Sequence, residues 1–133
     1  MLDLTPLQSA LASLRRAYAR SEDAPDDEEL RDAVIQRFEY TYELCWKMLR
    51  RRLEMDAASP DEWDRLSFRE LIRAGAERGF LGSVEPWMQY RELRNLTAHT
   101  YDAAKAALVR SAAGAFITDA AMLEHALSRV ERP

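Results

Sequence analysis

The chain has 133 residues, 47% of them hydrophobic, with four glycines, five prolines, a formal charge of −4 and a pI near 5.3. That length suits one globular domain over residues 1–133, and the scarcity of Gly and Pro beside abundant Ala, Leu, Arg and Glu excludes a turn-rich all-β protein in favour of an all-α one. The acidic balance excludes a protein that binds nucleic acid through its overall charge, so any such contact needs a local patch.

Leu4, Leu7, Leu11, Leu14 and Tyr18 recur at spacings of three and four, which predicts a helix over residues 5–20 with one apolar stripe. The acidic, Pro-containing residues 21–28 read as a loop whose carboxylates favour the start of the next helix. No Gly or Pro interrupts residues 27–55, where Val34, Phe38, Tyr42, Cys45, Leu49 and Leu53 keep helical spacing and define the longest helix. Its aromatic residues Phe38, Tyr40, Tyr42 and Trp46 have two readings: they fill the core, or they give the helix a second face for another helix pair or subunit. Arg50, Arg51 and Arg52 near its end complement the negative helix terminus rather than face phosphate.

Residues 57–66 form a connector, after which Ser67-Phe-Arg-Glu70 has the form of a capping box ahead of Phe68, Leu71, Ile72 and Ala76. That short helix stops at Gly79. Pro86 is tolerated in the first turn of the next helix, whose inward face is Tyr90, Leu93 and Thr97, and from which Arg91 and Arg94 project on a neighbouring face. Asp102 is a good N-cap for a last amphipathic helix carrying Phe116, Ala120, Leu123, Leu127 and Val130, with a bend expected near Gly114. The expected architecture is an antiparallel four-helix up-and-down bundle with an additional short helix.

Several chemistries lack their motifs. A di-iron bundle needs Glu three residues before His, but Leu96 and Met122 precede His99 and His125. No phosphate-binding loop, dinucleotide fingerprint, His-Glu-x-x-His or Cys-x-x-Cys occurs, so the expectation is no metal and no cofactor. Glu39 and Glu43, an i, i+4 pair, read as solvated, and His125 as a solvated or helix-end residue. The single cysteine, Cys45, reads as core. No segment approaches the roughly 20 apolar residues of a membrane span. The first six residues lack a basic start followed by an apolar run, so a soluble, cytoplasmic protein without membrane contact is expected.

The concentration of unlike functional side chains in residues 91–102 stands apart. A guanidinium is a planar fork suited to phosphate oxygens and an imidazole moves protons near neutral pH, so Arg94, Asn95, His99 and Tyr101 suggest phosphodiester chemistry. The bland alternative is an Arg and a His that merely favour a helix C-terminus. The sequence Arg94-Asn-Leu-Thr-Ala-His99-Thr-Tyr101-Asp resembles the signature of the HEPN-domain proteins encoded beside a minimal nucleotidyltransferase, often described as nucleotidyltransferase substrate-binding proteins. Residues 35–47 and 67–75 look like the same family, which usually has Pro in place of Phe68 and often an acidic residue in place of Leu93.

The resemblance implies a ribonuclease toxin neutralised when its cognate nucleotidyltransferase antitoxin transfers AMP to the motif tyrosine. Arg94 and His99 would then be catalytic, Asn95 with Arg91 would bind phosphate or substrate, and Tyr101 would be the modified residue. One imidazole cannot easily act as acid and base in one step, so a homodimer through the motif face is expected to bring two copies to one cleft on the RNA. The alternative is a non-catalytic nucleotide- or substrate-binding subunit of a two-component nucleotidyltransferase. A purely structural dimeric bundle is the third reading.

Overall fold

The leucine stripe at the start of the chain is buried as its spacing predicts: Leu7, Leu11 and Leu14 are almost wholly enclosed. In the computed structural model, which describes residues 2–129, they lie on α1, Thr5–Asp23, with Pro6 in its first turn. The helix runs past residue 20 into the acidic stretch expected to be loop. Ser21 is buried there; its hydroxyl donates to the Tyr18 carbonyl (2.8 Å) and accepts from Arg110 (2.9 Å).

α2, Glu28–Asp56, starts at Asp27, whose carboxylate accepts from the Glu29 and Leu30 amides and so satisfies two donors that a helix start leaves unpaired. The connector contains a 3-10 helix, Pro60–Arg65, and the Ser67–Glu70 capping box opens α3, Phe68–Glu77. Gly79, at φ +82°, supplies the left-handed turn that ends this segment. α4, Glu85–Leu96, tightens into a 3-10 turn at Thr97–His99, and α5, Ala103–Ser128, starts at the Asp102 cap. Val130, assigned to the last apolar stripe, lies outside the described residues.

The side-chain contacts give the topology. Gln8 meets Glu124 while Glu22 meets Arg110, so α1 and α5 are antiparallel. Phe38 meets Phe116 while Arg52 reaches the Leu127 carbonyl, so α2 and α5 run parallel, as the second and fourth members of an up-and-down bundle must. α4 packs antiparallel to α2, and α3 lies against α2 as the additional short helix.

Gly114 lies within an unbroken α5, and a Cβ there would stand 2.7 Å from the Tyr18 hydroxyl, so the glycine admits the α1 side chain. Two expectations change. Two of the three arginines at the end of α2 engage carboxylates: Arg50 pairs with Glu54 and Asp64, and the buried Arg52 with Asp56. α5 reaches a mean hydropathy of 1.3 and is, by length and composition alone, capable of crossing a membrane. The apolar character has a packing use, because Ala106, Val109, Ala113, Phe116, Ala120 and Leu123 are all fully buried in the bundle.

Phe116 is the centre of that packing, edge-on to Phe38 (4.9 Å), Tyr90 (5.1 Å) and Trp87 (5.9 Å). Phe116→Ala is expected to cost about 3–5 kcal/mol, and Leu108→Ala, at a half-exposed site on the same helix, at most about 0.5 kcal/mol. Urea unfolding of the two variants measures the difference.

Candidate functional site at the corner between the fourth and fifth helices

The motif occupies a corner. Its first residues are the last turn of α4; the helix then narrows at Thr97–His99, the Asp102 amide donates to the His99 carbonyl (3.1 Å), and Asp102 caps α5. A polar sequence at the junction of two helices leaves His99 and Tyr101 exposed, Tyr101 by 85%. Their side chains are neighbours: His99 Nδ1 lies 3.4 Å from the Tyr101 hydroxyl, with the rings edge-on at 6.0 Å.

Arg94 is placed differently. Its Nε donates to Glu43 Oε1 at 3.1 Å and its Nη1 stands 3.4 Å from Glu39 Oε2 and 3.4 Å from the Thr97 hydroxyl. The Thr97 hydroxyl is also 2.7 Å from Glu39 Oε2 and 2.6 Å from the Arg94 carbonyl, and its one proton serves one of these acceptors at a time. Glu39 and Glu43 are therefore not a solvated pair. One turn apart on α2, they face α4 and clamp the motif arginine between two carboxylates.

The same last turn of α4 borders a cavity of about 400 Å³. Arg91, Arg94 and Asn95 line it together with Tyr42, Glu43, Trp46 and Phe68, whereas His99 and Tyr101 do not. The aromatic excess of α2 thus divides: Phe38 and Tyr42 are core, Tyr40 hydrogen-bonds to Ser13, and Trp46 walls the cavity. Burial raises the Tyr42 hydroxyl above the ordinary tyrosine range against the pull of Arg91 and Arg94, so it stays protonated at neutral pH. Arg91 lies over the Phe68 ring (4.9 Å) and forms no ion pair among the described residues.

Cys45 is fully buried and burial drives its thiol upward, which fits core packing. His125 is exposed on the last turn of α5, as expected of a helix-end residue. The sequence reading missed Glu39, Glu43, Thr97, Trp46 and Phe68 as parts of this site. The i, i+4 glutamates facing a helix that carries Arg94 were the available signal, but it becomes readable only once α4 is set antiparallel to α2.

Residues 2–129 match the family described as nucleotidyltransferase substrate binding protein like. Over 90 residues the chain is 37% identical to a Haemophilus influenzae protein named probable ribonuclease HepT, a match covering 68% of this chain; it spans 62% of that relative's length. A solved Haemophilus influenzae structure, described as the fold of a substrate binding domain of a nucleotidyltransferase, superposes with a TM-score of 0.91 at 30% identity, covering 96% of this chain and all of that one. A Thermus thermophilus crystal structure gives a TM-score of 0.73 at 28% identity, covering 92% of this chain and 99% of the other.

The three clamp residues are each about a third exposed, so their attraction is screened and an Arg94–Glu43 double-alanine cycle is expected to give a coupling of only about 0.2–1 kcal/mol. Urea midpoints of the single and double variants measure it; a coupling of several kcal/mol would mark Arg94 as a structural strut.

Proposed function

The chain belongs to the nucleotidyltransferase substrate binding protein-like family, and on that premise we propose that it is a metal-independent endoribonuclease toxin, acting in the cytoplasm and silenced by AMP transfer from a cognate nucleotidyltransferase. The observation that carries this reading is the exposed His99, 3.4 Å from the Tyr101 hydroxyl, on a corner one short turn beyond Arg94. An imidazole open to solvent can reach a strand of RNA, and a tyrosine beside it can block it. The similarity to a protein named probable ribonuclease HepT supports the same reaction class.

In the proposed reaction the ribose 2′-oxygen attacks the adjacent phosphorus, the bond to the 5′ oxygen breaks, and a cyclic phosphate and a 5′-hydroxyl result. One His99 takes the 2′ proton while a protonated His99 from a second copy gives one to the leaving oxygen. A homodimer through the motif face supplies that second copy. Arg94 stabilises charge on the phosphorane oxygens once the RNA phosphate displaces one of its glutamate partners, and Arg91 with Asn95 holds the substrate. AMP on Tyr101 puts a bulky anion beside His99 and competes with RNA for the same cations.

The clamp on Arg94 favours a second reading, a non-catalytic subunit that binds a nucleotide or substrate for the transferase, because an arginine already paired with two carboxylates is a weaker catalyst. Activity separates the two. His99→Ala and Arg94→Ala are expected to lower cleavage of a purified RNA at least about a hundredfold, with chelator leaving the parent rate unchanged. Unaltered cleavage in both variants would remove the ribonuclease reading. Incubation with the cognate nucleotidyltransferase and ATP is expected to add one AMP mass, absent in Tyr101→Phe, and sedimentation of the unmodified chain is expected to give a dimer.

A further inference from the structure

The 400 Å³ cavity contains an aromatic wall, Trp46 and Phe68, to which the cleavage chemistry gives no role. Trp46 is half-buried and has three contacts: the indole N–H donates to Glu43 at 3.2 Å, the ring packs edge-on to Phe68 at 6.4 Å, and the Lys47 ammonium stands 5.7 Å from the ring centroid. Phe68 in turn carries the Arg91 guanidinium at 4.9 Å. The three groups form a continuous wall of ring, ring and cation. At most the successive steps of 6.4 and 4.9 Å separate indole from guanidinium, a span that one nucleotide bridges.

Charge selects the ligand further. Of the arginines lining the cavity, Arg94 is held by Glu39 and Glu43 and Arg50 by Glu54 and Asp64, which leaves Arg91 as the cation available to an incoming anion. The one lining carboxylate, Glu43, is already engaged by Arg94, the Trp46 indole and Lys47. Asn95, exposed at the rim, adds an amide that can both donate and accept. A flat ring with Lys47 over it and, among the lining arginines, an accessible Arg91 fit a ligand that is aromatic at one end and anionic at the other. Stacking on aromatic side chains with phosphate on arginine is how single-stranded nucleic acid is held without base-pairing contacts.

We propose that this cavity is a nucleotide subsite, in which the Trp46 indole stacks a base and Arg91 with Asn95 holds its phosphate. The ligand is a nucleotide unit, either within the RNA strand or free. Its assignment to an RNA strand rests on the ribonuclease reading above; the stacking and phosphate chemistry does not. The subsite lies beside the Arg94 clamp, on the last turn of the helix that precedes the corner carrying His99.

The test uses the full chain carrying His99→Ala, which keeps RNA intact, and equilibrium dialysis against adenosine 5′-monophosphate or a short single-stranded oligoribonucleotide. Saturable binding of one or both is expected, weakened about tenfold by Trp46→Ala and by Arg91→Ala and less by Trp46→Phe, with helical circular dichroism unchanged. Binding of the oligonucleotide alone assigns the subsite to the RNA strand, and binding of AMP alone to a free nucleotide. Failure of both ligands to saturate, or unchanged binding in both alanine variants, overturns the proposal; Arg91 is exposed, so its variant remains informative if Trp46→Ala does not fold. A parent chain that binds but does not cleave RNA removes the ribonuclease reading and leaves the subsite standing.

Discussion

The aromatic knot around Phe116 is the constraint on which the site depends. α4 has only 12 residues, too few to be a stable helix in isolation, so its conformation comes from what it packs against. Trp87 and Tyr90 bury against Phe116, and Tyr90 donates a hydrogen bond to Asp119 on the same neighbouring helix. Phe38 closes the knot from α2. With its first half anchored this way, α4 carries its last turn over α2 and delivers Arg91, Arg94 and Asn95 to one side of the molecule. Burial and the Asp119 carboxylate both hold the Tyr90 hydroxyl protonated, which keeps the donor in that hydrogen bond through the physiological range.

Across the α2–α4 seam Arg94 bridges the two helices electrostatically. Arg94 with Glu39 and Glu43 forms a partly exposed triad whose formal charge is negative, so the guanidinium does not present itself as an open phosphate site. The same contacts fix its rotamer and its distance from the cavity. An anion that replaces one glutamate finds the fork already oriented, which lowers the ordering cost of binding. The clamp therefore combines weak contribution to stability with strong control of direction, as expected of ion pairs near solvent.

The motif consequently separates into two parts with different environments. Arg91, Arg94 and Asn95 border a ring-lined cavity, while His99 and Tyr101 stand on an exposed corner. The 3-10 turn makes that division, because it ends the helical register after Leu96 and turns the following residues away from the cavity wall. In the proposed reaction, binding and positioning would fall on the helix, and proton transfer and its control on the corner. The exposed corner leaves His99 and Tyr101 where another surface can approach them without entering the bundle.

Periodicity and capping made most of the fold legible in the sequence. The stripes of Leu7, Leu11 and Leu14, of Val34 through Leu53, and of Phe116 through Leu127 determined which faces are buried, and Asp27, Ser67 and Asp102 determined where three helices start, because both signals act between residues close in the chain. The motif stood out in the sequence as a cluster of unlike functional side chains. Tertiary structure alone decided the partners: that Glu39 and Glu43 hold Arg94, that Gly114 admits Tyr18, that Arg52 is buried against Asp56, and that Trp46 and Phe68 form a cavity wall. The reason is geometric. Local spacing tells which side of a helix a residue occupies, but which distant side chain stands opposite depends on the direction and register of the neighbouring helix, and these arise only when the bundle packs.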